Sequence, residues 1–124
     1  MVKLISLIHL AKRLEFTKET RSLFPRYCIQ CGRVDYPLED HHIVNLAYRL
    51  RELNNHPLNC CRLCAFHGDS CHETIGDIHT RENEVELLTT TYQYLKRIGY
   101  TIEQDVLIKF NHETNGTFLQ NIRH

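Results

Sequence analysis

The chain has 124 residues, of which 42% are apolar and 24% charged, a balance typical of one folded domain and not of a disordered chain. Its 15 basic and 15 acidic side chains cancel, which argues against binding nucleic acid by uniform positive charge. The charge is nevertheless uneven, because residues 1–64 hold 10 basic and 6 acidic side chains and residues 65–124 hold 5 and 9. We therefore expect any nucleic-acid contact to lie in the first half.

The first predicted element is an N-terminal helix over 1–25, which Pro25 would end. Its apolar residues recur every three or four positions, as in an amphipathic helix packed on a domain: Leu4, Leu7, Ile8, Ala11 and Leu14. The apolar stretch is too short to span a membrane, and no signal-peptide cleavage pattern follows it. We therefore expect a cytoplasmic protein, in a reducing compartment where cysteines bind metal more often than they form disulfides.

The middle of the chain predicts two extended segments between cysteine-rich turns. One strand is expected to end within Tyr36–Val44, and a helical or irregular excursion follows over 45–54. Pro57 then restarts the chain in an extended direction through Leu63. Cys60 and Cys61 fall within this extended segment, at positions that suit small buried side chains.

The last third predicts helices. A helical segment runs from His72 to about Thr80, and a clearer helix over 82–98 ends at Gly99. The segment 100–110 fits either a short helix or an alternating strand, and residues 111–124 show no period, so we expect them to fray.

Four of the six cysteines are spaced as two metal-binding turns. Cys28 and Cys31 form a Cys-x-x-Cys turn closed by Gly32, and Cys64 and Cys71 form a longer turn further along. Two facing turns of this kind supply the four thiolates that tetrahedral Zn²⁺ prefers, so we predict a structural zinc site.

The second turn leaves one ligand open, because Cys64-x-x-His67 is an equally good pair and His67 could replace Cys71. Three disulfides are the alternative use of six cysteines, and they would require an exported protein.

Histidines interleave with the cysteine pairs in an ordered pattern over about 26–80. The pattern consists of Cys28-Ile-Gln-Cys31, Asp40-His41-His42-Ile43, Asn59-Cys60-Cys61-Arg62-Leu63-Cys64 and Cys71-His72. In this order the stretches resemble the HNH endonucleases of the ββα-metal (His-Me finger) class, and the small size of the chain resembles phage-encoded members.

The resemblance implies an α+β fold in a single HNH nuclease-like domain spanning residues 1–124. A zinc-stabilised ββα-metal core over 26–80 would follow the N-terminal helix, and a C-terminal helical extension over 81–124 would complete the domain. The structural Zn²⁺ would be held by the two turns, through Cys28, Cys31, Cys64 and Cys71.

The resemblance also implies hydrolysis of DNA phosphodiester bonds with one catalytic divalent ion. His42 would deprotonate the attacking water, since imidazole titrates near neutral pH, and the amide of Asn59 would orient it. His41 and His72 would be ligands of the catalytic ion, for which Mg²⁺, Mn²⁺, Ni²⁺ and Zn²⁺ are all suitable. On a regular strand His41 would point away from Asp40 and His42, so either the strand end is distorted or Asp40 joins the metal shell; we favour His41.

Two features depart from the family pattern. Six residues separate Cys64 from Cys71 where the family usually has two, and Gly76 stands where some members place a second histidine ligand. His79, Asp77 or water would have to take the place of that ligand.

The sequence also offers candidate partner contacts. Three arginines near the motif could contact DNA phosphates: Arg49, Arg51 and Arg62. The tyrosines Tyr92, Tyr94 and Tyr100 suit core or dimer packing better than base stacking, so the 82–98 helix could join a homodimer or bind a protein partner. The alternative function is a non-catalytic zinc module that contacts nucleic acid or a protein.

Overall fold

The computed structural model describes residues 16–46, 49–65 and 70–122. The predicted helix over 1–25 therefore lies mostly outside the described residues. Within them, helix α1 (Lys18–Ser22) begins at Thr17, whose backbone is extended and whose Oγ1 accepts a hydrogen bond from Thr20 N at 3.2 Å. Because this residue is an N-cap, the prediction of an unbroken helix through position 17 is wrong.

The sheet has two antiparallel strands, β1 (Leu38–His42) and β2 (Cys60–Cys64). Leu38 lies opposite Cys64 and His42 opposite Cys60. The strand predicted within Tyr36–Val44 is thereby confirmed. The second strand starts later than predicted, because the chain makes a 3₁₀ turn over Pro57–Asn59 before it extends.

The connection between the strands, predicted to be a helical or irregular excursion over 45–54, is partly helical. A single turn, helix α2 (Arg51–Asn54), lies within it. Asn54 is buried and its Oδ1 accepts from Leu46 N at 3.3 Å, which ties the excursion to the end of the first strand.

One short turn of π-helix (His72–Gly76, here the π-turn) follows β2 and packs against both strands. Its closing bond runs from Asp77 N to the His72 carbonyl at 2.7 Å. The helix predicted from His72 to Thr80 is therefore too long, because Thr80 has extended backbone and caps the next helix through Asn83 N.

Three helices follow in the last described segment: α3 (Arg81–Arg97), α4 (Gln104–Glu113) and α5 (Thr117–Ile122). The helix predicted over 82–98 is confirmed, and Gly99 ends it with φ +82°. In the segment 100–110, for which a helix and a strand were both predicted, the structure has the helix α4. Val106 and Phe110, four residues apart, are buried, while Ile108 between them is 55% exposed, which is the burial pattern of a helix and not of an alternating strand.

The last described residues do not fray as predicted. Asn115 and Gly116 adopt positive φ values of 53° and 85°, which turn the chain back so that Phe118 on α5 is fully buried. The reason is packing across sequence: α5 contacts α3, and Asn121 donates to Thr89 Oγ1 at 2.8 Å.

The architecture is α+β, with helices packed around a two-stranded sheet. One apolar core joins the two strands, α3, α4 and α5, and its fully buried side chains include Ile43, Leu46, Leu58, Leu63, Leu87, Leu88, Leu95, Phe110 and Phe118. None of the helices among the described residues combines the length and apolarity needed to cross a membrane.

Candidate metal centre and histidine cleft

The four predicted cysteine ligands come together in space. The sulfurs of Cys28, Cys31, Cys64 and Cys71 all lie within 4.8 Å of one another. The first turn is shaped by Gly32, at φ +78°, and is tied to β2 by a bond from Ile29 N to the Arg62 carbonyl at 3.0 Å. The site can therefore hold one metal ion, which confirms a metal-binding arrangement at these positions.

Backbone amides surround the sulfurs. Burial acts to raise the pKa of the Cys28 thiol, but hydrogen bonds from the backbone of Cys31, Cys64 and Gln30 bring it down to about 7. Cys71 N also donates to the Cys64 sulfur at 3.3 Å. Such donors stabilise thiolates, the form of cysteine that binds metal.

The remaining thiols behave as the sequence predicted. Cys60 and Cys61 are each 2% exposed, lie on β2 outside the sulfur cluster, and have pKa values raised by burial. The alternative ligand His67 lies outside the described residues.

A second cluster forms around His41 on the opposite face of β1 from Asp40 and His42. His41 is 8% exposed, and its Nε2 is buried with no hydrogen-bond partner among the described residues. Its ring centroid lies 5.4 Å from that of His72 and 5.7 Å from that of His79. Burial, reinforced by the charges of these two neighbours, lowers the pKa of His41 to about 4.

Gly76 allows the π-turn to approach His41 closely. A Cβ at this position would lie 2.8 Å from Leu63 Cδ1 and 3.3 Å from the His41 ring. A histidine here, where the family pattern has a second ligand, would collide with the strand. The imidazole that stacks on His41 is instead that of His79, three residues later.

The residues around His41 include chemical groups of the kind that bind divalent cations. Three imidazoles and the carboxylate of Asp77 are donors that such ions accept, and a metal bond would satisfy the orphaned Nε2. Among the described residues, however, only the four cysteines have donor atoms converging within 4.8 Å. Coordination by the histidines would therefore need rotation of His72 or His79, which are both partly exposed.

His42 lies at the end of β1 on the other face. Its Nε2 is 2.7 Å from Asn55 Oδ1, and its ring stacks face to face on Phe16, with centroids 4.1 Å apart and planes 8° apart. Burial lowers its pKa, an effect opposed by the hydrogen bond that the imidazole donates to Asn55 and by the charge of Asp40.

Contrary to the prediction, the side-chain hydrogen bonds of Asn59 within the described structure go to backbone atoms and not to His42. Its Nδ2 donates to the carbonyls of Val44 and Asn54 at 2.9 and 3.0 Å, and its Oδ1 accepts from Val44 N at 2.8 Å. The side chain is fully buried, and these backbone bonds use its amide. The residue that holds the imidazole is Asn55.

Asp40 is engaged in ion pairs. Its carboxylate accepts from Arg62 Nε at 2.9 Å and lies 3.8 Å from Arg21 Nε. Since β1 is regular through His42, the strand end is not distorted, and Asp40 faces away from the histidine cluster. Of the other two predicted phosphate contacts, Arg49 pairs with Glu113 at 2.9 Å and Arg51 is exposed.

A cleft of about 320 Å³ opens at the end of β1 and brings the two faces of the strand to one place. Its lining comprises Phe16, Asp40, His41, His42, Asn45, Asn54, Asp77 and His79.

The tyrosines of α3 pack inward, as expected. Tyr94 donates to the Leu23 carbonyl at 2.7 Å, and Tyr92 meets Phe118 edge to face. Tyr100 also packs against the core.

Comparison with known proteins gives no match to any family model, curated protein or solved structure. The site therefore has to be interpreted from its own geometry. Two of its contacts, Phe16 and Asn55, escaped sequence reasoning, because no spacing rule links either residue to His42.

Proposed function

We propose that this protein is a metal-dependent endonuclease of the HNH class that hydrolyses DNA phosphodiester bonds. One observation carries the proposal: the end of β1 presents His41 to a cluster of imidazoles and His42 to an orienting amide, within one cleft. Two antiparallel strands followed by the π-turn are consistent with a ββα-metal core, in which the four cysteines would hold a structural Zn²⁺.

His42 is the proposed general base. Because the amide oxygen of Asn55 can only accept, the hydrogen of the imidazole lies on Nε2 and the lone pair on Nδ1. An imidazole in this tautomer can take a proton from the water that attacks phosphorus.

His41, His72 and His79 are the proposed ligands of the catalytic divalent ion, with Asp77 close to them. When bound, such an ion supplies charge neutralisation at the phosphate and at the leaving oxygen. The chain itself places a buried nitrogen, Nε2 of His41, at the proposed ion site and holds His42 on the opposite wall of the cleft.

The proposed substrate is DNA because cationic side chains border the cleft. Arg62 and Arg21 both approach Asp40, which lines it. Guanidinium groups at such a border can contact phosphates without reading sequence.

Nicking of supercoiled plasmid tests this function. Purified protein is incubated with Mg²⁺, Mn²⁺ or Ni²⁺, with EDTA as the metal-free control. We expect His42→Ala to lower the nicking rate at least about a hundredfold, the contribution of a general base, while metal content and fold stay unchanged. The matched control is His112→Ala, an exposed histidine of α4, which should nick at the parental rate.

A non-catalytic metal-stabilised binding module is the second candidate. It is favoured by the histidine donor atoms, which are more widely spaced than the cysteine sulfurs. A folded protein with one bound Zn²⁺ that fails to nick plasmid with Mg²⁺, Mn²⁺ or Ni²⁺ would support this function and exclude the first.

A further inference from the structure

We propose that Phe16 is a positioning residue for His42: its ring clamps the imidazole against Asn55 and fixes its orientation at the wall of the cleft. The inference rests on the proposed nuclease function and adds a residue from the chain segment just before α1. It stands on the parallel stack of the two rings and on the contacts that anchor Phe16.

An imidazole needs such a clamp. The torsion between its Cβ and ring is broad and has no sharply staggered minima. A hydrogen bond at one nitrogen, here Nε2 to Asn55, fixes that atom but leaves the ring free to tilt about the bond. A flat ring stacked within 4.1 Å and 8° of parallel removes this tilt, because rotation would drive the imidazole edge into Phe16.

The position of Phe16 is itself fixed from two sides. Its ring meets that of Phe24 edge to face at 5.8 Å. Thr17 caps α1, and the buried Thr20 of that helix donates from Oγ1 to the Asn55 carbonyl at 2.5 Å. Helix α1 therefore links the stacking ring and the orienting amide, so both contacts to His42 belong to one packed unit.

The stack covers a face of the imidazole, whereas proton transfer occurs at an edge nitrogen. Phe16 can thus restrain His42 without occupying the lone pair. General-base catalysis depends on orientation, and displacement of a catalytic group by about 1 Å can cost about a hundredfold in rate.

The test compares Phe16→Leu, which keeps apolar volume but lacks a flat face, with Phe16→Tyr, which keeps the ring. Single-turnover and steady-state cleavage of a labelled duplex give kcat and KM separately, and thermal melting reports the fold. We expect kcat of the leucine variant to fall about tenfold or more with KM and melting temperature nearly unchanged. The tyrosine variant should retain parental kcat.

Proton NMR at fixed pH supplies a readout that needs no activity. The ring current of a stacked Phe16 shifts the His42 ring protons upfield, and this shift should disappear in Phe16→Leu and persist in Phe16→Tyr.

The outcomes separate the two proposals. If the parent nicks, His42→Ala does not, and Phe16→Leu matches or exceeds the parental kcat, the clamp is wrong and the nuclease assignment stands. An unshifted His42 resonance in the parent would also overturn the clamp. Failure of the parent itself to cleave, with the ring-current shift present, would instead overturn the nuclease function.

Discussion

At position 76 even an alanine would collide with the strand face beneath the π-turn. The nearest atom to its Cβ would be Cδ1 of Leu63, at 2.8 Å, and Leu63 is fully buried. The next nearest would be atoms of the His41 ring, at 3.3 and 3.4 Å. Gly76 thus sets the distance between the π-turn and the histidine proposed to bind metal.

Gly76→Ala should therefore destabilise the protein by about 1–3 kcal/mol, the usual cost of overpacking, and displace His41. Denaturant unfolding measures the cost. The matched background is Leu63→Val, which lacks Cδ1, so the penalty of Gly76→Ala should be smaller there than in the parent. Equal penalties in both backgrounds would show that the predicted collision is not the cause.

The side-chain amides of Asn54, Asn55 and Asn59 lie close in sequence but make different hydrogen bonds. Asn54 and Asn59 bond to backbone and hold the connection between the strands together. The Asn55 side chain bonds to the imidazole of His42. The sequence predicted that an amide would hold His42 but chose the wrong one, because the choice depends on which side chain the backbone bonds leave available.

At the scale of elements, alternation along β1 organises the candidate site. His41 and His42 are adjacent in sequence, yet their side chains leave opposite faces of the strand. His41 therefore meets His72 of the π-turn and the following His79, while His42 meets Phe16, just before α1, and Asn55 in the chain connecting the strands. The strand end is what allows both to border a single cleft.

The sulfur cluster joins three segments: the turn at Cys28–Cys31, the end of β2 at Cys64, and Cys71 just before the π-turn. Removing Cys28 should release the metal and lower the free energy of unfolding by about 3 kcal/mol or more, since structural metal binding contributes directly to folding. Metal analysis and denaturant unfolding of Cys28→Ala measure both effects.

Cys61→Ala is the control for that variant, because Cys61 is a buried cysteine like Cys28 but lies on β2 outside the cluster. It should keep its metal and lose about 1 kcal/mol, a typical packing cost. A Cys28 variant that retains full metal and parental stability would contradict the metal-site assignment.

At the scale of the whole molecule, folding buries histidines in their neutral form. Burial lowers the pKa values of His41, His42 and His56, and that of His41 reaches about 4 from an ordinary 6.5. Between these values the unfolded chain binds more protons at His41 than the folded chain does, so acid favours unfolding.

We therefore expect the protein, without added divalent ion, to keep its full stability above about pH 6.5 and to lose it progressively toward pH 4. The contribution of His41 is at most about 3 kcal/mol, because folding lowers the pKa of this residue from 6.5 to about 4. The difference between the unfolding free energies of the parent and of His41→Gln, measured from pH 4 to pH 6.5, gives the contribution of His41. Burial raises the pKa of Glu84, so this group favours the folded state as the pH falls, in the parent and in the variant alike. Parallel pH profiles of the two proteins would refute the assignment of the acid destabilisation to His41.

Features that depend on near neighbours along the chain could be predicted from the amino-acid sequence. The Cys-x-x-Cys turn, the strand containing Asp40-His41-His42 and the helix ending at Gly99 follow from local spacing and backbone preference, and all three lie where they were predicted. The placement of Cys60 and Cys61 in the core followed from the same strand pattern.

The contacts between side chains distant in sequence could not be predicted in this way. Phe16 lies on His42, His79 stacks on His41, and Phe118 enters a core formed by earlier helices. Each contact joins residues that share no helical or strand period, so its formation depends on how whole elements pack and not on local conformational preference. For the same reason residues 111–122, which lack a period, form an ordered end to the described chain: burial of Phe118 offsets the entropy cost of ordering them.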